Sequence, residues 1–375
     1  MPINVAVPKE ITPNERRVAL VPDIANRLAK LGVTILIEKD MGKSAHFLDA
    51  AYENVQVVES AEKLYQSADV VFKVQPPTEA EIDLMKEGTV VVGFMSPHRY
   101  PERVAKLRDN KITSLAMELV PRISRAQSMD ALSSQAAVAG YKAVIMAADL
   151  ASVFFPMLTT AAGTIRPAKV LVIGAGVAGL QAIATARRLG AMVEGYDVRA
   201  ATKEQVESLG AKFVDMEIKA EGQGGYAREL TAEEKQQQQA ILAKHVAAAH
   251  VVITTAAIPG RPSPKIISTA MVEGMAPGSV LIDLASEGGG NCELTQSGQT
   301  IEHNGVVIHG PLNVASQTPI HASEMYAKNL FNLLSPMIKE GELQLDWEDE
   351  VITGCALTHA GEIKHAPTRQ LVEQA

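Results

Sequence analysis

The chain has 375 residues, of which 47% are hydrophobic and 21% are charged, with a formal net charge of −8 at pH 7. This length and composition are typical of a globular protein with two domains, each large enough to bury an apolar core. The acidic balance, in a sequence without a cluster of lysine and arginine, argues against nucleic acid as a partner.

Other features argue against a disulfide framework, a metal site and a membrane span. Cys292 and Cys355 lie far apart in the sequence and in no metal-ligand spacing, so we predict two reduced thiols. No window of about eighteen residues is both apolar and uncharged, so direct insertion into a membrane is not expected. The amino terminus enters a predicted strand without a targeting peptide, and a cytoplasmic protein is expected.

Residues 1–120 alternate short apolar runs with amphipathic stretches. The predicted strands are Asn4–Val7, Val33–Ile37, Val70–Val74, Val90–Phe94 and Ile112–Met117. In the first amphipathic stretch, Asp23–Leu31, apolar residues recur on one helical face. We predict Asp23 as the N-cap of this helix and Gly32 as its end. Strands and helices that alternate in this way predict a doubly wound parallel sheet.

A polar segment, Pro121–Asp130, leads into an alanine-rich stretch that predicts a long helix over residues 131–155. Composition alone favours interpreting the polar segment as a solvated linker in which Ser128 or Asp130 caps the helix. Residues 156–167, with two prolines and a glycine, are predicted to be a second linker.

A glycine-rich turn follows the second linker. The apolar run Val170–Ile173 predicts a buried strand and leads into GAGVAG, Gly174–Gly179, which matches the pattern G-x-G-x-x-G. A helical stretch then runs to Gly190, and another apolar run ends at Asp197. This order of strand, glycines, helix and acidic strand end predicts a dinucleotide-binding fold.

Each residue type in that pattern has a physical role. Gly174 permits a tight turn, Gly176 lets the backbone approach a pyrophosphate, and Gly179 lets the helix pack closely on the strand. The helix N-terminus offers free N–H groups to the phosphates. The Asp197 carboxylate can accept hydrogen bonds from the adenosine ribose and repels a 2′-phosphate, which favours NAD(H) over NADP(H).

The alternation continues beyond Asp197. The predicted elements are a helix over Ala200–Leu209 and strands over Lys212–Val214, His250–Thr254, Ser279–Asp283 and Val306–Ile308. Residues 215–240 form a long polar insertion, which we interpret as a functional lid or a disordered loop. A helix is predicted from Ser316 toward Leu334, and two short strands are predicted to form a hairpin within Glu350–His365.

Several strings together resemble one known family. They are PKE and ERRVAL within Pro8–Leu20, RISRAQSMDALSSQ (Arg122–Gln135), MLTTAAGT (Met157–Thr164), the glycine fingerprint, YDVRAATKEQVESLGAKF (Tyr196–Phe213), GGYA (Gly224–Ala227) and IDLASEGGGNCELT (Ile282–Thr295). Over essentially its full length the chain resembles the soluble NAD(H)-binding alpha component of proton-translocating nicotinamide nucleotide transhydrogenase. Alanine dehydrogenase shares that family's fold but not the strings RAQSMD and DVRAATKEQ.

The resemblance implies an α/β fold of two Rossmann-like, doubly wound parallel-sheet domains separated by a cleft. An N-terminal α/β domain is expected over residues 1–130, completed by a returning C-terminal segment over residues 318–375. The NAD(H)-binding Rossmann domain is expected over residues 131–317, with a mobile loop around residues 215–240.

The resemblance also implies a reaction and partners. Hydride would pass directly between NAD(H) on this chain and NADP(H) on a partner beta subunit, and a membrane-spanning component would couple the transfer to proton translocation. The enzyme would be a Si-side-type NAD(P) transhydrogenase, active only with its partner subunits. A homodimer is implied as well, held peripherally at the cytoplasmic side of the inner membrane through those partners.

Residue roles follow from the match to the family. Gln127 is expected to orient the nicotinamide ring, and Arg122 and Asp130 are expected to pair beside it; these are the predicted catalytic residues. The predicted cofactor contacts are Arg125, Ala126, Gln127, Ser128, Met129, Asp130, Ser133, Gly174, Gly176, Val177, Gly179, Asp197, Val198, Arg199, Gly225, Tyr226 and Ala257. Among these, Gly225 and Tyr226 belong to the family's mobile loop, which closes on bound nucleotide. No metal is expected.

Two alternatives remain open. One is alanine dehydrogenase, which reduces pyruvate and ammonia with NADH, and whose substrate-binding arginine and lysine fall on Arg17 and Lys73. Its histidine acid/base falls on Ser96, although His98 lies two residues on, and its aspartate falls on Glu287. A serine hydroxyl cannot exchange a proton near neutral pH as imidazole does, which weighs against this alternative. The other alternative is a non-catalytic NAD-binding module.

Overall fold

A computed structural model describes residues 2–215, 231–257 and 260–374. The chain divides into two compact units: unit 1 comprises Met1–Gln135 and Ala315–Ala375, and unit 2 comprises Ala136–Val314. Each unit is built around its own parallel-dominated sheet.

Unit 1 begins with strands and helices in alternation. Its first elements are β1 (Asn4–Val7), α1 (Pro22–Ala29), β2 (Thr34–Glu38), β3 (Gln56–Val58), α2 (Ala61–Ser67), β4 (Val70–Phe72), α3 (Glu79–Leu84), β5 (Val90–Gly93), α4 (Pro101–Asp109) and β6 (Thr113–Ala116). A 3₁₀ helix, Ser124–Met129, follows, and then α5 (Ala131–Leu150) runs on into unit 2.

Unit 2 contains the glycine fingerprint. Its elements after α5 are β7 (Leu158–Thr160), β8 (Gly163–Ile165), β9 (Lys169–Ile173), α6 (Val177–Arg188), β10 (Met192–Tyr196), α7 (Lys203–Ser208), β11 (Lys212–Phe213), α8 (Ala232–Ala248), β12 (Val251–Thr254), α9 (Thr269–Glu273), β13 (Val280–Asp283), β14 (Thr300–His303) and β15 (Val306–His309).

The C-terminal elements belong to unit 1. They are α10 (Pro319–Leu334), β16 (Ile338–Lys339), β17 (Glu342–Leu343), α11 (Glu350–Cys355), β18 (Ala356–His359), β19 (Glu362–Ile363) and α12 (Ala366–Gln374). Strand β18 pairs antiparallel with β6, so the tail extends the edge of the sheet that the first 120 residues form.

The two sheets share one topology. The strand order is β19-β18-β6-β5-β4-β1-β2-β3 in unit 1 and β11-β10-β9-β12-β13-β15-β14 in unit 2. In both, the first strand lies in the middle and the chain winds outward on each side, as in doubly wound folds. The predicted α/β fold with parallel sheets is therefore confirmed; within the two large sheets the antiparallel pairs lie at the edges.

Apolar runs form these strands because both faces of each sheet are covered. Along β9, Val170 and Val172 enter one apolar core, while Leu171 and Ile173 enter the core on the opposite face. Alternate residues of a strand point to opposite sides, so a continuous apolar run is the pattern that a doubly covered strand needs.

The structure corrects some of the predicted boundaries. Helix α1 begins at Pro22, with Val21 as N-cap, and not after Asp23, because proline's fixed φ suits the first helical position. Residues 158–165, predicted as linker, form the exposed hairpin β7–β8. Residues 232–240, predicted within a loop, belong to helix α8. None of the helices in the described residues is long and apolar enough to cross a membrane.

Candidate functional site

The glycine fingerprint lies at the end of β9, where the chain order of unit 2 reverses between β10 and β12. Ligands in such sheets bind at this switch point, outside the carboxyl ends of the strands. Gly174 has φ +96°, and a Cβ on Gly179 would lie 1.8 Å from the Gly174 carbonyl oxygen. Side chains at these two positions would therefore break the turn.

Gly176 differs from the other two fingerprint glycines. A Cβ on Gly176 would meet no atom within 4 Å, so the space in front of this residue is open. Gly176 is also the N-cap of α6, and no side chain in the described part of the chain caps the helix there. The first N–H groups of α6 are thus left for a ligand, and the positive end of the helix dipole favours an anion.

Asp197, which follows the neighbouring strand β10, is hydrogen-bonded to the fingerprint turn. Its Oδ2 accepts the backbone N–H of Ala175 at 2.7 Å, which ties the end of β10 to the glycine turn. Its side chain is only 7% exposed and forms an ion pair with Arg199. Val198 between them is half-buried against the apolar core. A ribose at this strand end would meet a carboxylate that is already positioned.

The loop after β12 forms the other side of the switch point. Thr255 Oγ1 donates to the carbonyl oxygens of Ile173 and Gly174, at 3.3 and 3.1 Å, and so holds the loop to the fingerprint. The buried amide of Asn291 accepts from Ala256 N at 3.0 Å and donates to Ala256 O at 2.7 Å. Ala257, a predicted cofactor contact, is exposed next to this anchored residue. Sequence reasoning missed Thr255 and Asn291.

A second predicted site segment belongs to unit 1. Residues 124–129 form the 3₁₀ helix, in which Ala126 is buried and Met129 is half-buried, while Ser128 and Gln127 are exposed. Arg122, just before this helix, is also exposed. The segment therefore presents Gln127 to solvent from a backbone that is anchored through its apolar residues.

Helix α10 anchors this segment through side-chain hydrogen bonds to its backbone. The side-chain amides of Asn329 and Asn332 both donate to the Ser128 carbonyl oxygen at 2.9 Å, and Asn329 also accepts from Ser134 Oγ at 2.7 Å. Neither asparagine was predicted as a site residue. The sequence feature that could have indicated them is a pair of side-chain amides three residues apart, on one face of a helix that buries mainly apolar residues.

Other residues of the segment have structural partners. Both Asp130 oxygens accept from Ser133, one from its backbone N–H at 2.8 Å and the other from its hydroxyl at 2.5 Å. This is the N-cap geometry, and the pairing of Asp130 with Arg122 stays a prediction. Arg125 pairs with Asp349, at 2.5 and 3.0 Å, in a contact within unit 1. Gly225 and Tyr226 lie outside the described residues.

A surface cavity lies elsewhere in unit 2. Its volume is about 370 Å³, and its lining includes Lys169, Glu194, Lys212, Lys244 and His245. Lys169 and Lys212 are the first residues of β9 and β11, at the ends opposite the fingerprint edge, and Glu194 lies in the middle of β10. His245 Nδ1 lies 2.6 Å from Glu194 Oε2. This cavity is therefore separate from the glycine turn.

The two halves of the sequence match the two domains of one family. Residues 6–139 match the family described as Alanine dehydrogenase/PNT, N-terminal domain, and residues 143–366 match Alanine dehydrogenase/PNT, C-terminal domain. The chain belongs to the alanine dehydrogenase/PNT family.

Within the family, the chain is more similar to transhydrogenase subunits than to alanine dehydrogenases. It is 46% identical to the first part of NAD(P) transhydrogenase subunit alpha of Rhodospirillum rubrum, over 97% of this chain and 98% of the relative. The transhydrogenase structure from Sinorhizobium meliloti is 43% identical and superposes with a TM-score of 0.86, covering 97% of this chain and 99% of that one. Alanine dehydrogenase of Bacillus subtilis is 28% identical over 84% of this chain and 80% of the relative.

Arg17 and Lys73, expected to correspond to the substrate-binding residues of alanine dehydrogenase, are engaged internally. Arg17 is 6% exposed and binds Glu15 through two guanidinium nitrogens, with Nε–Oε1 at 2.9 Å and Nη2–Oε2 at 2.7 Å. Its Nη1 donates to Gln135 Oε1 at 2.9 Å. Burial lowers the pKa of Arg17, but Glu15 more than compensates and raises it.

Lys73 is buried in a similar way. It is 1% exposed, and its Nζ lies 2.7 Å from Glu81 Oε1 and 3.5 Å from Glu10 Oε2. Burial alone would lower the pKa of Lys73, but Glu10 and Glu81 together raise it. Burial raises the pKa of Glu10, against the opposing effect of Lys73. These contacts make Lys73 a member of an internal ion cluster.

Ser96, the position expected to correspond to the histidine acid/base of alanine dehydrogenase, has an unusual backbone conformation with φ +44°. The half-buried Glu118 carboxylate accepts the N–H of Met95 at 2.9 Å and that of Ser96 at 2.5 Å. Burial raises the pKa of Glu118, opposed by the N–H groups that it accepts. His98 is exposed two residues further on.

Proposed function

We propose that this chain is the NAD(H)-binding component of a proton-translocating, Si-side-type NAD(P) transhydrogenase. Similarity to transhydrogenase alpha subunits over 97% of the chain supports the component role. The observation that carries the choice of nucleotide is Asp197, whose carboxylate lies at the fingerprint turn, bonded to Ala175. A carboxylate in this position accepts from a ribose diol and repels a 2′-phosphate.

The residues of the open edge fit NAD(H). Gly176 leaves space for a pyrophosphate against the N-terminus of α6, and Asp197 would take the adenosine ribose. Val177, 43% exposed in the first turn of α6, and Gly179 would border the pyrophosphate, with Ala257 beside the cofactor. The bound cofactor supplies the hydride, so these residues have to bind and position it.

The nicotinamide end is proposed to lie at the segment 122–133. Gln127 would hydrogen-bond the nicotinamide and orient its ring, because direct hydride transfer needs two reacting carbons in near-attack geometry and no general acid. Arg122 would take part in the same contact. Asp130 would act through Ser133, since these two side chains bond each other at the start of α5. Gly225 and Tyr226 are proposed to cover the bound nucleotide.

Partners complete the proposed activity. Hydride would pass to NADP⁺ on a beta subunit, and a membrane-spanning component would couple this transfer to proton movement, holding the chain at the inner membrane.

We also propose a homodimer. It is supported by exposed apolar side chains in unit 2 around the hairpin β7–β8, namely Phe154, Met157 and Ile165, which are 54%, 62% and 46% exposed. Light scattering at several concentrations measures the oligomeric state directly, and a monomer at all of them contradicts the dimer.

Reconstitution tests the function. The chain is titrated with NADH and with NADPH, and then mixed with the NADP(H)-binding and membrane components. We expect selective NADH binding and hydride exchange to an NADP analogue only in the mixture. Exchange by the chain alone, or none in the complete mixture, contradicts the proposal. Nucleotide binding without exchange in the mixture instead supports a passive NAD-binding module.

The family resemblance also keeps alanine dehydrogenase as a second candidate. It predicts NADH oxidation that depends on pyruvate and ammonia, at ordinary enzyme rates. We expect no such activity, because Arg17 and Lys73 are bound to Glu15 and Glu81. Substantial pyruvate turnover by the chain alone would overturn the transhydrogenase assignment.

A further inference from the structure

The Asp197 carboxylate is fully engaged within the protein. Oδ1 accepts from Arg199 N and Arg199 Nε, both at 2.9 Å. Oδ2 accepts from Ala175 N at 2.7 Å and from Arg199 Nη2 at 2.8 Å. A carboxylate has about four lone-pair positions and these N–H groups occupy them, so a ribose hydroxyl that bonds Asp197 would replace one of the Arg199 contacts. The two guanidinium contacts form a bidentate pair, which is the strongest geometry for arginine and a carboxylate.

This arrangement places a cation where the adenosine 2′ position would lie. The ribose diol of NAD(H) sits against the acidic end of the second fingerprint strand. Arg199 Nε and Nη2 are within 2.9 Å of the Asp197 oxygens, so a ribose bonded to Asp197 would have this guanidinium as its neighbouring cation. Arginine beside the ribose is the residue that NADP-binding sites use for the 2′-phosphate.

We infer that Arg199 is a latent 2′-phosphate site, and that Asp197 keeps it inactive by holding the guanidinium. Preference for NAD(H) then depends on two residues: Asp197 repels the phosphate and also sequesters the cation that would bind it. This inference rests on the proposed NAD(H) site and extends it to a specificity-determining role for Arg199. In a transhydrogenase, rejection of NADP(H) here keeps the two nucleotides on separate subunits.

Two minimal probes isolate the 2′-phosphate. Adenosine 5′-monophosphate and adenosine 2′,5′-bisphosphate differ only by that group, and their dissociation constants are measured by calorimetry at fixed salt on the full chain. In Asp197→Asn the shape is kept, but the charge that holds Arg199 is lost. We expect binding of the bisphosphate to strengthen about ten- to hundredfold, the range of one or two charge-assisted hydrogen bonds, while binding of the monophosphate weakens.

The double variant D197N/R199Q decides the role of arginine. We expect it to lose most of the gain in bisphosphate binding. If D197N and D197N/R199Q bind the bisphosphate equally well, removal of the carboxylate alone explains the gain and the inference is overturned. Arg188→Gln, at the last residue of α6, removes the same charge from the far end of that helix and serves as the matched control.

If D197N does not fold, the single variant Arg199→Gln still tests the role of the arginine. Arg199→Gln leaves the carboxylate without its guanidinium, so discrimination against the bisphosphate should increase, and an unchanged ratio contradicts the inference. Wild-type NADH titration separates failure of the proposed function from failure of the inference. Absence of NADH binding overturns both, whereas NADH binding with an unchanged Arg199→Gln ratio overturns the inference alone.

Discussion

The carboxyl edges of the two sheets have the same strand order but opposite character. In unit 2, the edge beside β9 is open, with a glycine that faces free space and a helix N-terminus without a side-chain cap in the described residues. In unit 1, the residues that follow β1 and β4 fill the corresponding edge with ion pairs, Arg17–Glu15 and Lys73–Glu81. The unit 2 edge has space for an anionic ligand, whereas in the unit 1 edge the charged side chains are paired with one another.

The contrast between the two edges shows that the two units contribute different features. Duplicated topology does not duplicate function, because the site depends on the side chains at the strand ends. Unit 1 instead presents the exposed segment around Gln127, held by Asn329 and Asn332. Substitutions in the closed edge, in the open edge and in this segment each test the contrast.

The largest effect is expected from opening the closed edge. Lys73→Met leaves the Glu10 and Glu81 carboxylates buried without their cation, which should lower the free energy of unfolding by about 3–5 kcal/mol. Denaturant unfolding measures this loss, with the exposed Lys63→Met as control. NADH binding at low temperature should be retained, because the fingerprint lies in unit 2. A stable Lys73→Met variant would contradict the proposed structural role of the ion cluster.

A side chain at Gly176, in the open edge, should weaken NADH binding without much change in the stability of the fold. Gly176→Ser introduces a favourable N-cap residue, and Gly176 already has an extended backbone, so stability should change by less than about 1 kcal/mol. The new Cβ enters the space proposed for the pyrophosphate, and NADH binding should weaken at least about tenfold.

The matched variant is Gly179→Ala, whose Cβ would lie 1.8 Å from a carbonyl oxygen. We expect that change to destabilise unit 2 itself. Thermal unfolding alongside NADH titration separates the two glycines, and similar behaviour of both would show that Gly176 is structural.

The segment around Gln127 should control rate more than affinity. Gln127→Ala is expected to slow hydride transfer about ten- to hundredfold in the reconstituted complex, with NADH binding changed less than about threefold, because orientation is lost and most contacts remain. Asn332→Ala removes one of two bonds to the Ser128 carbonyl and should have a smaller effect in the same direction. Single-turnover kinetics and titration measure both, and equal losses of rate and affinity would argue against an orienting role.

The smallest effect concerns the pH dependence of the closed edge. Burial raises the folded-state pKa of Glu10, so its contribution to stability is present at low pH and is lost as the pH rises through that raised pKa. Glu10→Gln should therefore gain in stability relative to wild type as the pH increases above about 4.5, the ordinary value. Thermal unfolding between pH 5 and 8 tests this, with the exposed Glu53→Gln as control. A constant difference across the range would contradict it.

Most of the element pattern could be predicted because it is local. Apolar runs for doubly covered strands and the glycine fingerprint depend on residues that are close in sequence, so β9, α6 and β10 can be located within a few residues. Hairpin β7–β8 could not be predicted because its strands are short and exposed and contain no apolar run. The start of helix α8 escapes it because residues 232–240 are polar and glutamine-rich.

The α/β class, the nucleotide fingerprint and Asp197 as the acidic strand end can all be recognised in the sequence, since they are patterns of neighbouring residues. The contact partners of individual side chains are visible only in the folded chain. There Arg17 pairs with Glu15, Lys73 pairs with Glu81, and two amides of α10 bond a carbonyl about two hundred positions earlier in the chain. The physical reason is that hydrogen bonds and ion pairs require distances near 3 Å, and folding alone brings such distant residues together.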